Sequence, residues 1–320
     1  MKHIQQVTVF GGSGFVGRAI ARTLAHEGYR VRVATRRPEL AEAVKTAGDV
    51  GQVVLMRANL RNPASIAAAV AGSQAVVNAS GIAFQRGRQS YQAVHVGGAQ
   101  VIAEAATAAG VQRLIHISGI GAEDRGSRNR YVQSKVAGES AIVAGFAGAT
   151  ILRPSVVFGP DDKFFNKLGS LAASAPVVPI VGKGTARLQP VYVGDVARAV
   201  AAALAQPETA RSVFELGGPH IYSYRELIAL VLRIVDRQRP MIGVPVGLMK
   251  LGAFFAELVP LLPPAITRDQ VDLLTRDNVV SAGARTLASL GIVPTAAEAI
   301  LPTYLDRFRV GGRYNQHAPA

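Results

Sequence analysis

The chain has 320 residues, is 49% hydrophobic and carries a formal net charge of +14 at pH 7. This composition can bury a large core and excludes an intrinsically disordered protein. The sequence has no Cys and its six His are scattered, so disulfides and thiolate metal sites are excluded and no metal is predicted. The positive charge favours a phosphate-bearing ligand, an anionic membrane surface, nucleic acid or an acidic protein partner. Nucleic acid is disfavoured, because aromatic residues make up only 6% and no nucleic-acid-binding module is evident.

Two features of the sequence predict where the protein is located in the cell. The first residues, MKHIQQVTVF, enter an apolar strand-like run at once, which predicts a cytoplasmic protein without a signal peptide. The most apolar stretch, Pro245–Ile266, carries two charges and is cut by Pro260, Pro263 and Pro264. It falls short of a transmembrane segment. We therefore expect it to form either a substrate-pocket wall or a docking surface, the latter giving peripheral attachment to a membrane or a partner.

The first half alternates short β-branched runs with Ala-rich segments of helical periodicity. The predicted strands are Gln6–Phe10, Val31–Thr35, Val53–Arg57, Ala75–Asn78, Leu114–Ser118 and Ala149–Leu152. The predicted helices between them are Phe15–Glu27, Glu39–Thr46, Pro63–Ala71, Tyr91–Ala109 and Arg130–Ala144. This pattern predicts an α/β protein, a doubly wound parallel Rossmann sheet with helices on both faces.

After residue 153 the alternation is lost, and Pro and Gly separate shorter elements. The predicted helices here are Asp195–Ala205, Tyr224–Val235, Gly247–Leu258 and Ala296–Phe308. We expect a Rossmann domain at 1–153, a smaller substrate or partner lobe at 154–310 interleaved with the end of the sheet, and a flexible tail at 311–320.

A glycine-rich loop follows the first predicted strand. Gly11, Gly14 and Gly17 allow, in turn, a tight turn, a close approach of the backbone to a pyrophosphate, and close helix packing. The loop is predicted to bind a dinucleotide through Gly11, Gly12, Ser13, Gly14, Phe15, Val16 and Gly17. Without the surrounding βαβ pattern, the same spacing would indicate only a glycine turn.

The second strand is followed by basic residues instead of an acid. Thr35, Arg36 and Arg37 stand where an NAD-specific protein usually offers Asp or Glu to the ribose 2′-hydroxyl. Two guanidinium groups can bind a 2′-phosphate, so NADP(H) is the predicted cofactor. The alternative is that both Arg belong to a solvated loop.

Further cofactor contacts are expected after other strands. Asn59 and Leu60 follow the third strand and are predicted to lie near the adenine. Ala79, Ser80 and Gly81 follow the fourth strand and are predicted to line the cofactor trough.

Tyr131 and Lys135 are four residues apart on one predicted helix face. Lys135 can lower the phenol pKa and bond the nicotinamide ribose, leaving Tyr131 as an acid or base. Ser118 is the candidate hydroxyl at the end of the fifth strand. It is expected either to face a substrate or to cap the turn.

Together, the segments GGSGFVG, NASG, YVQSK and RPSVVFGPDD make the chain resemble extended and atypical short-chain dehydrogenases over nearly its whole length. Within that superfamily the resemblance is strongest to the NADPH-binding accessory subunits of respiratory complex I and their bacterial relatives. The segments that carry it are Gly48–Val54, Arg130–Glu139, Gln189–Val196 and Pro264–Asp272.

The resemblance implies a tightly held, partly structural NADPH and a surface docked on membrane-bound complex I. It also implies that the segment around Pro154 passes the nicotinamide. Relatives linked to ubiquinone biosynthesis keep a second hypothesis open, a soluble reductase or epimerase with a small-molecule substrate. Many relatives have Asp where this chain has Asn59, so adenine would be bound by an amide here.

Overall fold

A computed structural model describes residues 5–258, 264 and 266–312. The strands are β1 Gln6–Phe10, β2 Arg30–Thr35, β3 Val53–Arg57, β4 Ala75–Asn78, β5 Arg113–Ile117, β6 Thr150–Pro154, β7 Val157–Phe158, β8 Val178–Val181, β9 Arg187–Leu188, β10 Val191–Tyr192, β11 Val213–Leu216, β12 Tyr222–Ser223 and β13 Met241–Val244. The α-helices are α1 Phe15–His26, α2 Pro63–Val70, α3 Gly98–Ala108, α4 Arg130–Gly145, α5 Phe164–Ser174, α6 Val193–Ala205, α7 Tyr224–Ile234, α8 Val246–Leu258, α9 Arg268–Leu273, α10 Ala297–Ile300 and α11 Pro302–Leu305. A π-helix covers Gln92–Gly97, and short 3₁₀ segments cover Pro38–Leu40, Glu42–Ala47, Pro207–Thr209, Ala288–Leu290 and Asp306–Phe308.

The chain forms two compact units. The first contains Met1–Pro154, Val193–Leu216 and Ser281–Val293. The second contains Ser155–Tyr192, Gly217–Val280 and Pro294–Ala320.

The first unit is built on a seven-stranded sheet in the order β11-β6-β5-β4-β1-β2-β3. Every pairing in it is parallel, which confirms the predicted doubly wound α/β fold. Strand β1 lies between β2 and β4, so the chain order reverses there. In such sheets the loops that follow the two strands at the reversal, here β1 and β4, run in opposite directions. They leave a ligand-binding crevice at the carboxyl ends of these strands.

The central strands are buried on both faces. Val7 and Val9 of β1 are fully buried, and so is Thr8 between them. The Thr8 hydroxyl donates to Ala69 O at 2.8 Å and lies 2.7 Å from Ser73 Oγ. A polar side chain can occupy this core position because its hydrogen bonds are made within the protein.

Helix α1 packs closely on β1 because two glycines meet at their junction. Gly11 has a φ of +74°, a conformation that favours glycine. A Cβ on Gly17 would lie 2.2 Å from Gly11 O, so no side chain fits between the loop and the helix.

Three predicted elements differ from the structure. The predicted helix Glu39–Thr46 is wrong, because two 3₁₀ turns stand there and the second buries only Val44, too little to hold a regular helix. The predicted helix Ala296–Phe308 is broken into three pieces, since Pro302 lacks the N–H that a continuous helix needs. The predicted helix Tyr91–Ala109 begins as a π-helix. Of the predicted tail, residues 313–320 lie outside the described residues.

The second unit has its own core, to which β7, α5, β8, α7 and the chain around α11 contribute. Its fully buried side chains include Phe158, Phe165, Leu227, Leu301 and Leu305. Helix α7 begins with a capping box, in which Ser223 and Glu226 bond each other's backbone N–H groups. Across the described ranges, no helix combines the length and apolarity needed to cross a bilayer.

Replacing Gly17 with Ala should destabilise the protein, because the new Cβ would meet the backbone of Gly11 at 2.2 Å and of Gly12 at 2.7 Å. We expect the free energy of unfolding in urea to fall by about 2 kcal/mol. Gly252→Ala is the matched control. Its Cβ meets nothing within 4 Å in the interior of α8, so it should be neutral or stabilising by up to about 1 kcal/mol. Equal stability of the two variants would show that the close approach is not required.

Candidate functional site

The loop from β1 to α1 contains the predicted phosphate-binding residues. A Cβ on Gly11 would lie 2.7 Å from Ala79 O and 2.9 Å from Ser80 N. The loop is therefore held against the segment that follows β4. Two predicted cofactor segments, far apart in the sequence, meet where the strand order reverses.

The N-terminus of α1 is open to a ligand. Gly14 is its N-cap, and within the described residues no side chain caps this helix and no acid lies in its first turn. In contrast, α4 is capped by Asn129 and α7 by Ser223. The first N–H groups of a helix have no partner inside it, and they carry a partial positive charge. This end of α1 is suited to a pyrophosphate.

Strand β2 ends in a cluster of polar side chains. Ser13 Oγ and Thr35 Oγ1 lie 2.9 Å apart, and Thr35 Oγ1 also accepts from Arg37 N at 3.4 Å. Arg36 and Arg37 are exposed. The side-chain amide of Gln89 is assigned so that its oxygen faces Arg36. In this orientation the oxygen accepts hydrogen bonds from Arg36 Nη1 at 2.5 Å and Nη2 at 3.2 Å. Sequence reasoning missed Gln89, which lies 53 positions after Arg36 and shows no local motif.

The residues after β3 have different environments. Asn59 Oδ1 accepts from Arg61 N at 3.1 Å, and its amide nitrogen can donate to a ligand. Leu60 packs on the start of α3, where a Cβ on Gly98 would lie 2.8 Å from Leu60 Cδ1. Asn59 offers a polar contact, and Leu60 belongs to the apolar packing beside it.

Helix α4 carries Tyr131 and Lys135 one turn apart. Asn129 Oδ1 starts the helix by accepting from Tyr131 N at 3.0 Å. Lys135 Nζ lies 5.8 Å from the centre of the Tyr131 ring. A Cβ on Gly81 would lie 3.8 Å from the same Nζ. The structure thus places Tyr131 and the loop after β4 beside the buried Lys135.

Ser118 directly follows β5. It is 5% exposed, and its Oγ has no hydrogen-bond partner among the described residues. Its N–H donates to Leu152 O at 2.8 Å, and Ile120 N donates to Pro154 O at 3.1 Å. The loop therefore runs beside the predicted Pro154. A buried hydroxyl without a partner is unfavourable by about 1–3 kcal/mol, and a ligand oxygen would satisfy it.

His95, in the π-helix, was also missed by sequence reasoning. Its Nε2 accepts from Ile82 N at 3.0 Å and its Nδ1 lies 2.8 Å from Ser134 Oγ, which donates to Tyr131 O at 2.6 Å. Because the Ile82 N–H can only donate, His95 is neutral with its proton on Nδ1. The ring meets that of Tyr131 edge-on at 5.7 Å. The only sequence signal was a polar residue four positions after Tyr91 on an apolar helix face.

A second buried histidine lies in the centre of the sheet. His116 Nδ1 accepts from Asn78 Nδ2 at 3.2 Å, and Asn78 Oδ1 accepts from Ser80 N at 3.1 Å. Through Asn78, the last residue of β4, this pair fixes the orientation of the loop that follows the strand. Asn78 donates through its amide, so His116 is neutral as well.

The electrostatics of the site follow from these contacts. Burial, and then the charge of Lys135, lowers the pKa of His95 and of His116 to about 3. Desolvation disfavours a charged imidazole, and a nearby cation disfavours it further. In the described part of the chain, no three His, Asp or Glu side chains gather to hold a metal ion.

An ion-pair cluster around Arg153 holds α4 and its neighbours. Glu139 accepts from Arg153 Nε at 2.9 Å and Nη2 at 2.7 Å, while Glu123 and Glu215 lie 3.3 Å and 3.7 Å from Nη1. The hydrogen bond with Glu139 raises the pKa of Arg153. The cluster connects β6, α4, β11 and the loop after β5, which supports the elements that carry Ser118 and Tyr131.

The geometry agrees with the comparison to protein families. A model described as the NAD dependent epimerase/dehydratase family matches residues 7–217, more than half of the chain. The chain belongs to this family. The matched span contains every predicted site residue, from Gly11 to Pro154.

Two relatives of this family member are subunits of mitochondrial respiratory complex I. NADH dehydrogenase (ubiquinone) 1 alpha subcomplex subunit 9 of Arabidopsis thaliana is 32% identical over 315 residues, 95% of this chain and 78% of the relative. The NADH-ubiquinone oxidoreductase 40 kDa subunit of Neurospora crassa is 32% identical over 308 residues, 96% of this chain and 80% of the relative. The predicted resemblance to complex I accessory subunits is confirmed.

A solved structure supports the fold. MoeE5 in complex with UDP-glucose and NAD superposes with a TM-score of 0.71 at 20% identity, covering 94% of this chain and 97% of that one. At this identity the likeness concerns the fold alone.

The buried histidines make stability depend on pH. Their pKa of about 3 in the folded protein lies below the ordinary value near 6.5, so the unfolded chain takes up protons first. Their contribution is complete above about pH 6.5 and is lost as the pH falls towards 3. Each should lower the free energy of unfolding by about 1.4 kcal/mol per pH unit below about pH 6.

Urea unfolding from about pH 7 to about pH 5 checks this slope. His95→Gln and His116→Gln should each flatten it, even if they lower the absolute stability. The exposed His26 gives the control, since His26→Gln should keep the wild-type slope. A slope unchanged in both buried variants contradicts the assignment of neutral imidazoles.

Proposed function

We propose that this family member holds NADP(H) on its first unit. The observation that carries the proposal is the exposed Arg36 guanidinium at the end of β2, which Gln89 already orients. Arg37 follows it, and neither Asp nor Glu stands beside them at positions 35–37. Guanidinium groups bind a 2′-phosphate through charge-assisted bonds, whereas a free ribose 2′-hydroxyl is bound by a carboxylate.

The cofactor contacts follow the sheet edge. The open N–H groups at the start of α1 bind the pyrophosphate, Asn59 bonds the adenine through its amide, and Lys135 bonds the nicotinamide ribose. The proposed cofactor-binding set is Gly11, Gly12, Ser13, Gly14, Phe15, Val16, Gly17, Thr35, Arg36, Arg37, Asn59, Leu60, Ala79, Ser80, Gly81, Lys135 and Pro154. When bound, the nicotinamide supplies a hydride donor or acceptor.

Arg36→Ala tests the cofactor. Loss of the guanidinium should weaken NADPH binding by at least about tenfold and leave NADH binding nearly unchanged, because only NADPH carries the 2′-phosphate. Fluorescence titration of the purified protein with both nucleotides measures this. Arg22→Ala, on the exposed face of α1, is the matched control and should change neither affinity. Equal losses for the two nucleotides in Arg36→Ala would remove the case for NADP(H).

We further propose that the protein acts as an accessory subunit of respiratory complex I, attached peripherally on the cytoplasmic face of the membrane. The support is the similarity to complex I subunits over 95% of the chain, which includes the second unit. In this role the cofactor is chiefly structural. A ligand present at a hundredfold excess over its dissociation constant stabilises a fold by about 2.7 kcal/mol, which is enough to justify tight retention.

The orphaned hydroxyl of Ser118 favours a second candidate function, a soluble NADP(H)-dependent reductase or epimerase. In this role Tyr131 gives its hydroxyl proton to a carbonyl oxygen in the reduction, and in the reverse direction its phenolate oxygen takes the proton of an alcohol. Ser118 donates a hydrogen bond to the same oxygen. The substrate would be a small carbonyl or alcohol, with precursors of quinones among the candidates.

Tyr131→Phe separates the two functions, because it removes only the phenolic oxygen. For the accessory subunit, the tagged variant should still co-migrate with NADH-oxidising complex I on native gels of gently solubilised membranes. It should also keep its stabilisation by NADPH. For the enzyme, the wild type runs uncomplexed, and the variant loses NADPH oxidation with a carbonyl panel by about 100-fold or more. Tyr29→Phe, outside the site, is the control and should behave as the wild type in both assays.

A further inference from the structure

Helix α8 exposes a continuous row of large apolar side chains. Leu248, Leu251, Phe255 and Leu258 are 60%, 52%, 59% and 60% exposed, and Phe254 beside them is 38% exposed. Spacings of three, four and three residues put the first four on one face of the helix. We call these five residues the α8 stripe. Rows of this kind on a soluble surface usually mark an interaction site.

The stripe is not a side effect of a weakly packed helix. Val246 and Met249 pack against the core of the second unit, and Ala253 is buried there. The inner face of α8 is therefore already used, and the outer face is apolar in addition. A surface helix in contact only with water would carry polar residues on that outer face.

The charges of α8 are turned away from the stripe. Lys250 Nζ pairs with Asp272 at 2.5 Å, and Glu257 pairs with Arg268 at 2.9 Å, both towards α9. The guanidinium of Arg268 lies 5.2 Å from the centre of the Phe254 ring, at the edge of the stripe. The stripe itself carries no charge, so it offers no ion-pair partner to a protein surface.

Two cations stand at the N-terminal end of α8. Strand β13 leads into the helix and pairs with β8, and a Cβ on Gly182, just after β8, would lie 3.6 Å from Val246. Lys183 follows and is exposed, and Arg225 Nε lies 3.5 Å from its carbonyl oxygen. Neither side chain has a carboxylate within 4 Å among the residues described. The first turn of α8 holds no acid, so its dipole adds to this positive end.

We propose that α8 lies on the surface of a bilayer that contains anionic phospholipids. The stripe enters the boundary between headgroups and acyl chains, and Lys183 and Arg225 meet the lipid phosphates. An uncharged apolar face, together with basic residues near the N-terminal end of the helix, is typical of an interfacial helix. This inference rests on the peripheral attachment in the proposed function and deepens it by naming the helix and the class of lipid; it needs neither the cofactor nor complex I.

The size of the stripe argues against a second copy of the chain as its occupant. Taking about 200 Å² for a fully exposed Leu or Phe side chain, the stripe offers on the order of 500 Å². Two copies would bury on the order of 1,000 Å², less than the roughly 1,200 Å² at which stable interfaces begin. A bilayer has no such threshold, because its contact continues beyond the helix.

Vesicle co-sedimentation of the purified full-length protein tests the inference. We expect binding to vesicles of phosphatidylcholine with phosphatidylglycerol, and at least about tenfold weaker binding to phosphatidylcholine alone. The variant Leu251→Glu with Phe255→Glu should lose at least about tenfold in binding to the anionic vesicles. Its control, Leu40→Glu with Val143→Glu, changes two exposed apolar residues of the first unit and should bind as the wild type.

A second variant covers the case in which charges on α8 disturb folding. Lys183→Gln with Arg225→Gln leaves the stripe intact and should reduce binding to anionic vesicles by about fivefold per cation removed. Equal binding of the wild type to both kinds of vesicle overturns the proposal. So does undiminished binding to anionic vesicles by either double variant, the one in the stripe or the one that removes Lys183 and Arg225. A dimer that Leu251→Glu dissociates, without vesicle binding, overturns it in favour of a second copy. NADPH titration of the same preparations reports the cofactor proposal separately.

Discussion

Gly17 lies against the carbonyl oxygen of Gly11 with no room for a side chain, and the first unit depends on this contact. It lets α1 begin immediately behind β1, so the uncapped helix end stands at the carboxyl edge of the sheet. Contacts of Gly11 with Ala79, and of Ser13 with Thr35, then join the loop to the ends of β4 and β2. Each contact uses the backbone or a short side chain. The result is that the loops following β1, β2 and β4 lie together at the carboxyl edge of the sheet.

The surroundings of Tyr131 and Lys135 are organised by neutral polar groups. His95 and His116 are held uncharged by burial and by the backbone and amide donors that face them, which leaves Lys135 as the buried cation beside Tyr131. A charged imidazole here would raise the free energy of the folded state and repel the lysine. The same network serves a retained cofactor and a catalytic site, because both need a rigid lysine.

The second unit presents a different kind of surface. Its core is complete without the outer face of α8, and the charges of that helix are neutralised within the unit. The first unit offers backbone N–H groups and exposed guanidinium groups at the ends of its strands, whereas the second unit exposes the apolar α8 stripe.

The sequence by itself determined the features that are local in the chain. Six sheet strands were predicted close to their observed bounds because buried parallel strands are short apolar runs. The glycine-rich loop between β1 and α1, and the placement of Tyr131 and Lys135 one turn apart on a helix, were predicted because both patterns are visible in consecutive residues. The short strand β11 was missed, since its four residues become a strand only by pairing with β6.

Tertiary structure decided what depends on residues distant in the sequence. Several hydrogen bonds and ion pairs join residues that no local pattern relates: Arg36 with Gln89, Ile82 with His95, and Arg153 with Glu139. The lack of a partner for the Ser118 hydroxyl among the described residues likewise depends on the packing of the whole unit. The exposure of the α8 stripe also depends on residues that are distant in the sequence. An apolar helix face is the same in sequence whether it is buried or in water, and only the packing of the surrounding chain distinguishes the two.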